Sequence, residues 1–204
     1  MTPGPDRMRC LELGCGVGRR PSGWLMTDLD PTDDQVHLDV TEPFPIESES
    51  FDYVYSQHMI EHLPFESGRF MVRECFRVLK PGGTMRIVTP SIDFLFRLFS
   101  SRESTLVDRY IKWVTKEFAP NAPRPLASIV FNNFVRARGH QFIYDRATLQ
   151  LILEEAGFSD IRERQIGQSD QAKLRDLETI DRLPDGFLEL ESMILEATRP
   201  PAGL

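Results

Sequence analysis

Short apolar runs, bounded by polar residues and glycine, recur along the first ninety residues of the chain. Each run has the length of a buried strand rather than that of a helix. The first passes directly into a glycine-rich turn, Gly14-Cys-Gly-Val-Gly18, and the next two end at Asp28 and Asp39. The pattern predicts five strands in this region, at Met8–Leu13, Trp24–Thr27, Val36–Leu38, Phe51–Ser56 and Thr84–Thr89.

Two segments show the spacing of amphipathic helices. Glu66–Leu79 has apolar residues three and four apart and is followed by the helix stop Lys80-Pro-Gly-Gly83. Asp145 is an N-cap for a helix that runs to Ala156, with Gly157 as its stop residue. Two closing strands are predicted at Ser159–Ile166 and Phe187–Ala197. This order predicts an α/β fold with a mostly parallel sheet and an antiparallel edge pair.

Length and charge narrow the class of protein. A chain of 204 residues holds one well-buried core, so we expect a single domain over residues 1–204. The formal net charge of −7 disfavours nucleic acid and anionic membrane surfaces as partners. The amino-terminal residues lack the pattern of a secretion signal, which predicts a cytoplasmic protein. The three cysteines lie in apolar segments and are expected to be free and buried.

Glycines and carboxylates coincide with the predicted strand ends. Ligands of parallel sheets bind beyond the carboxyl ends of the strands, where Gly14, Gly16, Asp28, Asp39 and Ser56 all fall. Glycine lets the backbone turn tightly and approach a ligand, and a carboxylate can accept two hydrogen bonds from a ribose diol. Asp28 is therefore the ribose candidate. A glycine turn alone is equally compatible with an ordinary strand-to-helix connection.

The chain carries, in order, Leu11-Glu-Leu-Gly-Cys-Gly-Val-Gly18, Asp28, Asp39 with Pro43-Phe-Pro45, Phe51-Asp-Tyr-Val-Tyr-Ser56, Glu61-His-Leu63 and Arg77-Val-Leu-Lys-Pro-Gly-Gly83. These motifs resemble those of the Rossmann-like, class I S-adenosylmethionine-dependent methyltransferases, in particular a small bacterial branch of methyltransferase type 11. The likeness covers about Arg9–Pro90 and resumes over Gly139–Ile166. It implies a mostly parallel seven-stranded sheet with an antiparallel edge pair and a helical cap insertion at about 91–144.

The resemblance also implies a cofactor, S-adenosyl-L-methionine, and the residues that hold it. Glu12 and the backbone of Gly14 and Gly16 would hold its methionine part, Asp28 the ribose hydroxyls and Asp39 the exocyclic amine of adenine. The other implied contacts are Cys15 and Leu29 next to these residues, Val40 along the adenine ring, and Ser56 and Gln57 at the methionine end.

The connection after the glycine turn departs from the family pattern. Only Arg-Arg-Pro-Ser-Gly lies between Gly18 and Trp24, which is too short for the family's usual first helix. We therefore expect a cofactor loop that is looser or covered by another segment. Pro21 and Gly23 also disfavour a nicotinamide cofactor, whose fingerprint needs a helix to begin at this point.

The string His58-Met-Ile-Glu-His62 matches the H-x-x-E-H pattern of inverted zinc peptidases. Such an enzyme presents both histidines on a helix and takes a third ligand from a long helix. Here the string follows a strand and is closed by Leu63-Pro64, so we predict cofactor-site lining and no metal.

Methyl transfer from a sulfonium is an in-line displacement that needs a base only where the acceptor must lose a proton. His140 and His58, followed by His62, are the candidate bases, and Tyr144 is a fourth candidate catalytic residue. Each histidine is also compatible with a structural role, held by hydrogen bonds.

The segment Ser91–Tyr144 contains eight phenylalanine and tryptophan residues that we expect in a helical cap over the site, where most of them would attach the cap to the sheet. Residues 97–146 carry nine basic and four acidic side chains, a net +5, whereas the remainder carries −12. This basic surface is either a solvated face or an attractor for an acidic acceptor, with Arg136 and Arg138 as anchors.

These observations favour an enzyme that methylates oxygen or nitrogen of a small molecule, anionic or sugar-linked. The alternative is a non-catalytic subunit that binds S-adenosylmethionine for regulation or scaffolding. A nucleic-acid methyltransferase is disfavoured because Ser56-Gln-His replaces the Asn-Pro-Pro-Tyr type of motif, and the cysteines disfavour arsenite-type acceptors. A homodimer is left open, as is the role of Gly167–Gly186 in the pocket or in an oligomer contact.

Overall fold

Seven strands form the centre of the protein in the computed structural model, which describes residues 9–16, 23–32, 34–100, 105–178 and 183–203. They are β1 (Cys10–Leu13), β2 (Trp24–Asp28), β3 (Val36–His37), β4 (Phe51–Gln57), β5 (Leu79–Pro90), β6 (Ser159–Arg164) and β7 (Ser192–Thr198). Their order in the sheet is β3-β2-β1-β4-β5-β7-β6.

Strand directions confirm the predicted fold class. Strands β1 to β5 are mutually parallel, whereas β7 is antiparallel to both β5 and β6. The carboxyl ends of the parallel strands therefore lie at one edge of the sheet, which is where ligands of such sheets bind. Residues 17–22 lie outside the described part of the chain. They include most of the short connection between Gly18 and Trp24 that was predicted to lack a helix. Met8 of the first predicted strand also lies outside it.

Among the described residues, six α-helices flank the sheet: α1 (Phe65–Val78), α2 (Ile92–Ser100), α3 (Thr105–Phe118), α4 (Ala127–Arg136), α5 (Arg146–Ala156) and α6 (Phe187–Glu191). Helix α5 begins and ends as predicted, because the Asp145 carboxylate accepts a hydrogen bond from the Thr148 amide at 2.7 Å and Gly157 adopts a left-handed φ of 102°. Helix α1 also matches its prediction, with Met71, Val72 and Cys75 buried against the sheet.

The predicted strand Phe187–Ala197 is wrong in its first half. Residues Phe187–Glu191 form helix α6, and only Ser192–Thr198 forms a strand. Gly186, with a left-handed φ of 83°, starts the helical turn, and Phe187 packs edge-on against Tyr110 at 5.0 Å between ring centroids. Contact with α3 therefore decides the conformation of a segment whose short apolar pattern fits either state.

The cap insertion has an apolar core of its own. Helices α2, α3 and α4 follow β5 and enclose it together with α6, which is distant in sequence. Phe94 and Phe134 are fully buried there, whereas Phe96 and Phe99 on α2 are exposed. Most cap aromatics thus hold the cap helices to one another, whereas the sequence analysis expected them to attach the cap to the sheet. No helix in the described ranges combines the length and apolarity needed to cross a bilayer.

The two faces of the sheet are covered differently. Helices α1 and α5 cover one face, whose core includes Leu11, Val54 and Ile87. On the other face Leu174 and Leu177, from the connection before α6, pack on the apolar side chains that alternate with these, among them Tyr55, Val88 and Ile194. The three cysteines, Cys10, Cys15 and Cys75, are free and buried, as predicted.

Candidate functional site

Two cavities lie side by side at the carboxyl ends of the parallel strands. The first, the cap-side cavity, has about 330 Å³ and is lined by Glu12, Gly14, Cys15, Gly16, Gln57, His58, Arg138, Leu183, Leu188 and Glu191. The second, the strand-end cavity, has about 280 Å³ and is lined by Gly14, Asp28, Leu29, Leu38, Asp39, Val40, Thr41, His58, Met59, His62 and Leu63. Gly14 and His58 belong to both walls and mark where the cavities meet.

The turn after β1 has a conformation that requires glycine. Gly14 and Gly16 have φ values of 62° and 56°, which side chains other than glycine rarely adopt. A Cβ atom at Gly14 would also collide with the side chain of Met59. The Cys15 amide donates to the Thr27 carbonyl at 3.1 Å and so fixes the turn to β2. Bare backbone therefore faces both cavities at this point.

Asp28 links the glycine turn to the strand-end cavity. One carboxylate oxygen accepts from the Gly16 amide at 2.8 Å and the other from the Asp30 amide at 3.2 Å. The Gln35 side-chain amide donates to the Gly16 carbonyl, which ties the next connection to the same turn. The carboxylate is thus oriented at the end of β2, in the place expected for a group that accepts from a ribose diol.

The far wall of the strand-end cavity combines Asp39 with apolar side chains. The Thr41 hydroxyl and amide both donate to Oδ1 of Asp39, at 2.6 and 2.9 Å, and lower the pKa of that carboxyl. Val40 is almost fully buried, whereas Leu29 is 56% exposed at the rim. An anionic oxygen beside a flat apolar wall is an arrangement that can bind an adenine ring through its amine and its faces.

Residues predicted for the methionine end differ in their access to the cap-side cavity. Glu12 at the end of β1 and Gln57 at the end of β4 both line it. Ser56 is fully buried, lines neither cavity, and its Oγ has no hydrogen-bond partner among the described residues. Of Ser56 and Gln57, only Gln57 lines a cavity.

His58 is the candidate base placed between the two cavities. It follows β4 in a left-handed conformation, with a φ of 49°, and its Nε2 lies 2.9 Å from Oγ of Ser192. Its Nδ1 lies 3.5 Å from Oε1 of Glu61. Burial, with the nearby His140 and His62, lowers the pKa of His58 to about 4, so its ring is neutral at neutral pH.

The other two candidate histidines stand away from this junction. The rings of His62 and His140 are 4.9 Å apart; His62 lines the strand-end cavity, whereas His140 lines neither and packs against Phe134. Burial lowers the pKa of His140 to about 4. Glu61, which the sequence analysis took only as part of a motif, lies beside both rings, and burial raises its pKa to about 8.

Tyr144 is part of the main core. It is fully buried, its ring packs at 4.8 Å from that of Phe142, and a Cβ atom at Gly68 would collide with its hydroxyl. Burial, and then the neighbouring Glu61, raise the pKa of the phenol far above its usual value. Tyr144 lines neither cavity, so a role in proton transfer, as the sequence suggested, has no support from its position.

The two arginine anchors proposed from the sequence are separated by the end of α4. Arg138 lines the cap-side cavity, with its guanidinium carbon 4.1 Å from the centroid of the Phe118 ring. Its Nε and Nη2 atoms are buried without a hydrogen-bond partner within the described chain. Arg136 is exposed and lines neither cavity.

Glu191 is a cavity residue that the sequence analysis missed, because α6 was predicted as a strand. It is 2% exposed, lines the cap-side cavity and accepts a hydrogen bond from the Tyr110 hydroxyl. Burial raises the pKa of its carboxyl, and Arg138 opposes that shift. The cap-side cavity thus presents both a guanidinium and a buried carboxyl opposite the glycine turn.

Comparison with known proteins identifies the family to which the chain belongs. The profile of the family described as "Methyltransferase domain" matches residues 1–163. No curated protein matches the chain in sequence. Among solved structures, a possible exported protein from Bordetella parapertussis superimposes with a TM-score of 0.55 at 16% identity, over 95% of this chain and 63% of that one.

Two further solved structures have a similar fold. A SAM-dependent methyltransferase from Thermotoga maritima, described as a possible histamine N-methyltransferase, has a TM-score of 0.53 and 17% identity over 95% of this chain and 83% of that one. A SAM dependent methyltransferase from Archaeoglobus fulgidus has a TM-score of 0.53 and 16% identity over 94% and 86%. At identities of 16 to 17%, the similarity to these structures shows a shared fold.

Proposed function

The chain belongs to the class I S-adenosylmethionine-dependent methyltransferases, and we propose that it methylates an oxygen or nitrogen atom of a small-molecule acceptor that carries an acidic group. The observation that carries this proposal is the pair of adjoining cavities at the strand ends, which meet at Gly14 and His58. One has the features of a nucleoside site. The other has room and charge for an acceptor.

The residues around the glycine turn fit S-adenosylmethionine. Asp28 would accept from the ribose hydroxyls, and Asp39 with Val40 would hold adenine in the strand-end cavity. Gly14 and Gly16 leave backbone exposed, and Glu12 supplies a carboxylate for the methionine end. When bound, the cofactor supplies an electrophilic methyl group on a sulfonium, and the protein has to hold the acceptor in line and exclude water.

His58 is the residue we assign as the base. It borders both cavities, so a group at their junction is within its reach. Its neutral ring can take a proton from an acceptor hydroxyl as the new bond to carbon forms. The contact of Nε2 with Ser192 fixes the orientation of the ring. His62 and His140 are not assigned this role because neither borders the cap-side cavity.

Arg138 is the residue we assign to the acidic group of the acceptor. Two of its guanidinium nitrogens are buried with no hydrogen-bond partner among the described residues, and a carboxylate or phosphate would satisfy both. The ring of Phe118 below the guanidinium holds its plane. Glu191 on the same wall limits the acceptors to those that also bring a donor toward it.

Calorimetric titration with S-adenosylmethionine and S-adenosylhomocysteine tests the cofactor site. Wild type should bind with micromolar affinity, and Asp28→Ala should weaken binding at least tenfold, because two hydrogen bonds to a charged group are lost. Asp34→Ala, an exposed carboxylate that lines neither cavity, is the matched control. Absence of binding by wild type would overturn the proposal.

Transfer itself is tested by a screen of acidic acceptors for production of S-adenosylhomocysteine. Cofactor binding without transfer to any acceptor would favour the alternative of a non-catalytic binding subunit.

We also propose a cytoplasmic location, since three free, buried cysteines are typical of proteins in reducing compartments. A homodimer, and the absence of nucleic-acid and membrane partners, stay predictions.

A further inference from the structure

A buried carboxyl and two histidines meet beside the strand-end cavity, in a cluster with no role in the methyl transfer described above. It consists of Glu61 and His62, from the short 3-10 turn Ile60–His62, and His140, from the loop before α5. One ligand atom from each residue lies within 4.8 Å of the other two. Two buried polar atoms of this cluster accept or donate no hydrogen bond among the described residues.

These two atoms are Oε1 of Glu61 and Nδ1 of His140. Both are buried, and neither has a hydrogen-bond partner in the described part of the chain, although Nδ1 of His58 lies 3.5 Å from Oε1 of Glu61. Glu61 is itself 0% exposed, and its other oxygen accepts from the Thr89 hydroxyl at 3.0 Å. Buried polar atoms without partners are rare and costly, and an ion not present in a structure is one of their common explanations.

Backbone hydrogen bonds hold the three residues together. The amides of Gln141 and Phe142 both donate to the Glu61 carbonyl, at 2.8 and 3.2 Å, and the Gln141 side chain donates to the His62 carbonyl at 2.8 Å. Gly139, with a left-handed φ of 75°, places the loop against His62. Residues 79 positions apart are thereby fixed side by side, which is the preorganisation that a metal site needs.

From this geometry we propose that Glu61, His62 and His140 bind a divalent first-row transition-metal ion of the zinc class. Two imidazoles and one carboxylate are the donor set that such ions prefer, whereas magnesium and calcium prefer oxygen ligands alone. Three protein ligands leave a fourth position open. Because His62 lines the strand-end cavity, that position faces solvent or a bound molecule there.

The required adjustment is small. Ligand atoms of a tetrahedral zinc site are about 3.3 Å apart, given zinc–ligand distances of about 2.0 to 2.2 Å. Atoms that now lie within 4.8 Å must therefore approach by at most about 1.5 Å. Rotation of the exposed His62 ring supplies much of this movement. The sequence argued against a metal held by His58 and His62 with a third ligand from a long helix. The set proposed here is a different one, in which Glu61 and His140 accompany His62.

Metal titration of the tag-free full chain tests this site. After treatment with chelator, the protein is titrated with zinc in competition with a chromophoric indicator, and with cobalt to record its visible absorption. We expect one tight equivalent of zinc, a tetrahedral cobalt spectrum, and at least a tenfold weaker zinc affinity in Glu61→Gln and in His140→Asn. Magnesium should not compete.

His37→Asn is the matched control, because this exposed histidine contacts the Leu29 carbonyl outside the cluster, and it should bind zinc like wild type. Circular dichroism and thermal unfolding establish that each variant is folded; should Glu61→Gln not fold, His62→Asn replaces it. Equal zinc affinity in wild type and the cluster variants would overturn the site, as would an equal loss in His37→Asn. Both results are independent of methyl transfer.

Discussion

The surroundings of Arg136 and Arg138 differ although the residues stand two positions apart. Arg136 closes α4 and points to solvent, whereas Arg138 follows the helix end and lies on the wall of the cap-side cavity, over Phe118. A guanidinium on an aromatic face, with buried and unpaired nitrogens, is a preorganised anion anchor, whereas an exposed one is screened by water.

Replacement of each arginine by glutamine separates these roles. Arg138→Gln should raise the KM of an acidic acceptor about tenfold to a hundredfold, since a hydrogen bond between charged groups contributes about 1.5 to 3 kcal/mol. Arg136→Gln should change KM less than about twofold, as expected of an exposed charge. Steady-state kinetics measure both, with the affinity for S-adenosylmethionine as the folding control. Equal effects on KM in the two variants would contradict the anchor.

A second prediction at this scale concerns His58. If this residue takes the acceptor proton, His58→Gln should lower kcat about 10² to 10⁴-fold toward a hydroxyl acceptor and leave the KM of that acceptor nearly unchanged. Ser192→Ala, which removes only the contact to Nε2, should cost much less. Rates of single turnover report the chemical step directly. A kcat within about threefold of wild type would assign His58 to packing.

Sequence reasoning found the residues that follow strands and missed those brought in by tertiary contact. Gly14, Asp28 and Asp39 are each marked locally, by a turn or by the end of an apolar run, and all line a cavity. Glu191 lies in a helix that forms only against α3, and the neighbourhood of Glu61 and His140 depends on hydrogen bonds between distant segments. No local pattern carries such information.

At the scale of elements, helices with local start and stop signals were the most predictable. Helix α5 has its N-cap and its glycine stop within the segment itself, so its limits follow from the sequence. Helix α6 has five residues, too few to show helical periodicity, and its apolar residues pack into the cap core instead. Short elements depend on their neighbours, which is why the predicted strand Phe187–Ala197 was wrong at its start.

The stop of α5 offers a test of how an element boundary stabilises the fold. Gly157 has a left-handed φ of 102°, and a Cβ atom there would lie 3.1 Å from the Phe76 ring. Gly157→Ala should lower the free energy of unfolding by about 1 to 2 kcal/mol from conformation alone, and by more if the ring cannot move.

The matched control for this variant is Gly82→Ala. Gly82 also has a left-handed φ, 82°, but nothing lies within 4 Å of a Cβ atom there. Urea denaturation of both variants gives the cost of the conformation from Gly82 and the additional cost of the ring contact from Gly157. A loss at Gly157 no larger than that at Gly82 would mean that Phe76 adapts freely.

At the scale of the whole molecule, the connection between β6 and α6 covers one face of the sheet where α1 and α5 cover the other. Beneath it, the fully buried Arg86 on β5 bonds Glu178 of the connection at 2.6 Å and Glu196 of β7 at 2.6 Å. Arg86 also donates to the Gln168 carbonyl. One side chain thus fastens three segments. Within Gly167–Gly186, whose role the sequence left open, Leu174 and Leu177 pack on the sheet and Leu183 lines the cap-side cavity. An oligomer contact of this segment stays a prediction.

Removal of this charge should destabilise the entire fold. Arg86→Met keeps the volume but leaves the buried Glu178 without its ion-pair partner and Glu196 with Arg164 alone. The loss of one member of a buried ion pair costs about 3 to 5 kcal/mol of unfolding free energy. Arg162→Met is the control, because its ion pairs with Asp160 and Asp170 are half exposed and contribute about 1 kcal/mol or less.

Adding Glu178→Leu to Arg86→Met should restore part of the stability, since the cost lies in the uncompensated charge rather than in the space. Urea denaturation of wild type, the two single variants and the double variant measures these differences in unfolding free energy. If Arg86→Met unfolds at the same urea concentration as Arg162→Met, the connection is held by Leu174 and Leu177 instead, and the apolar contacts alone close this face of the sheet.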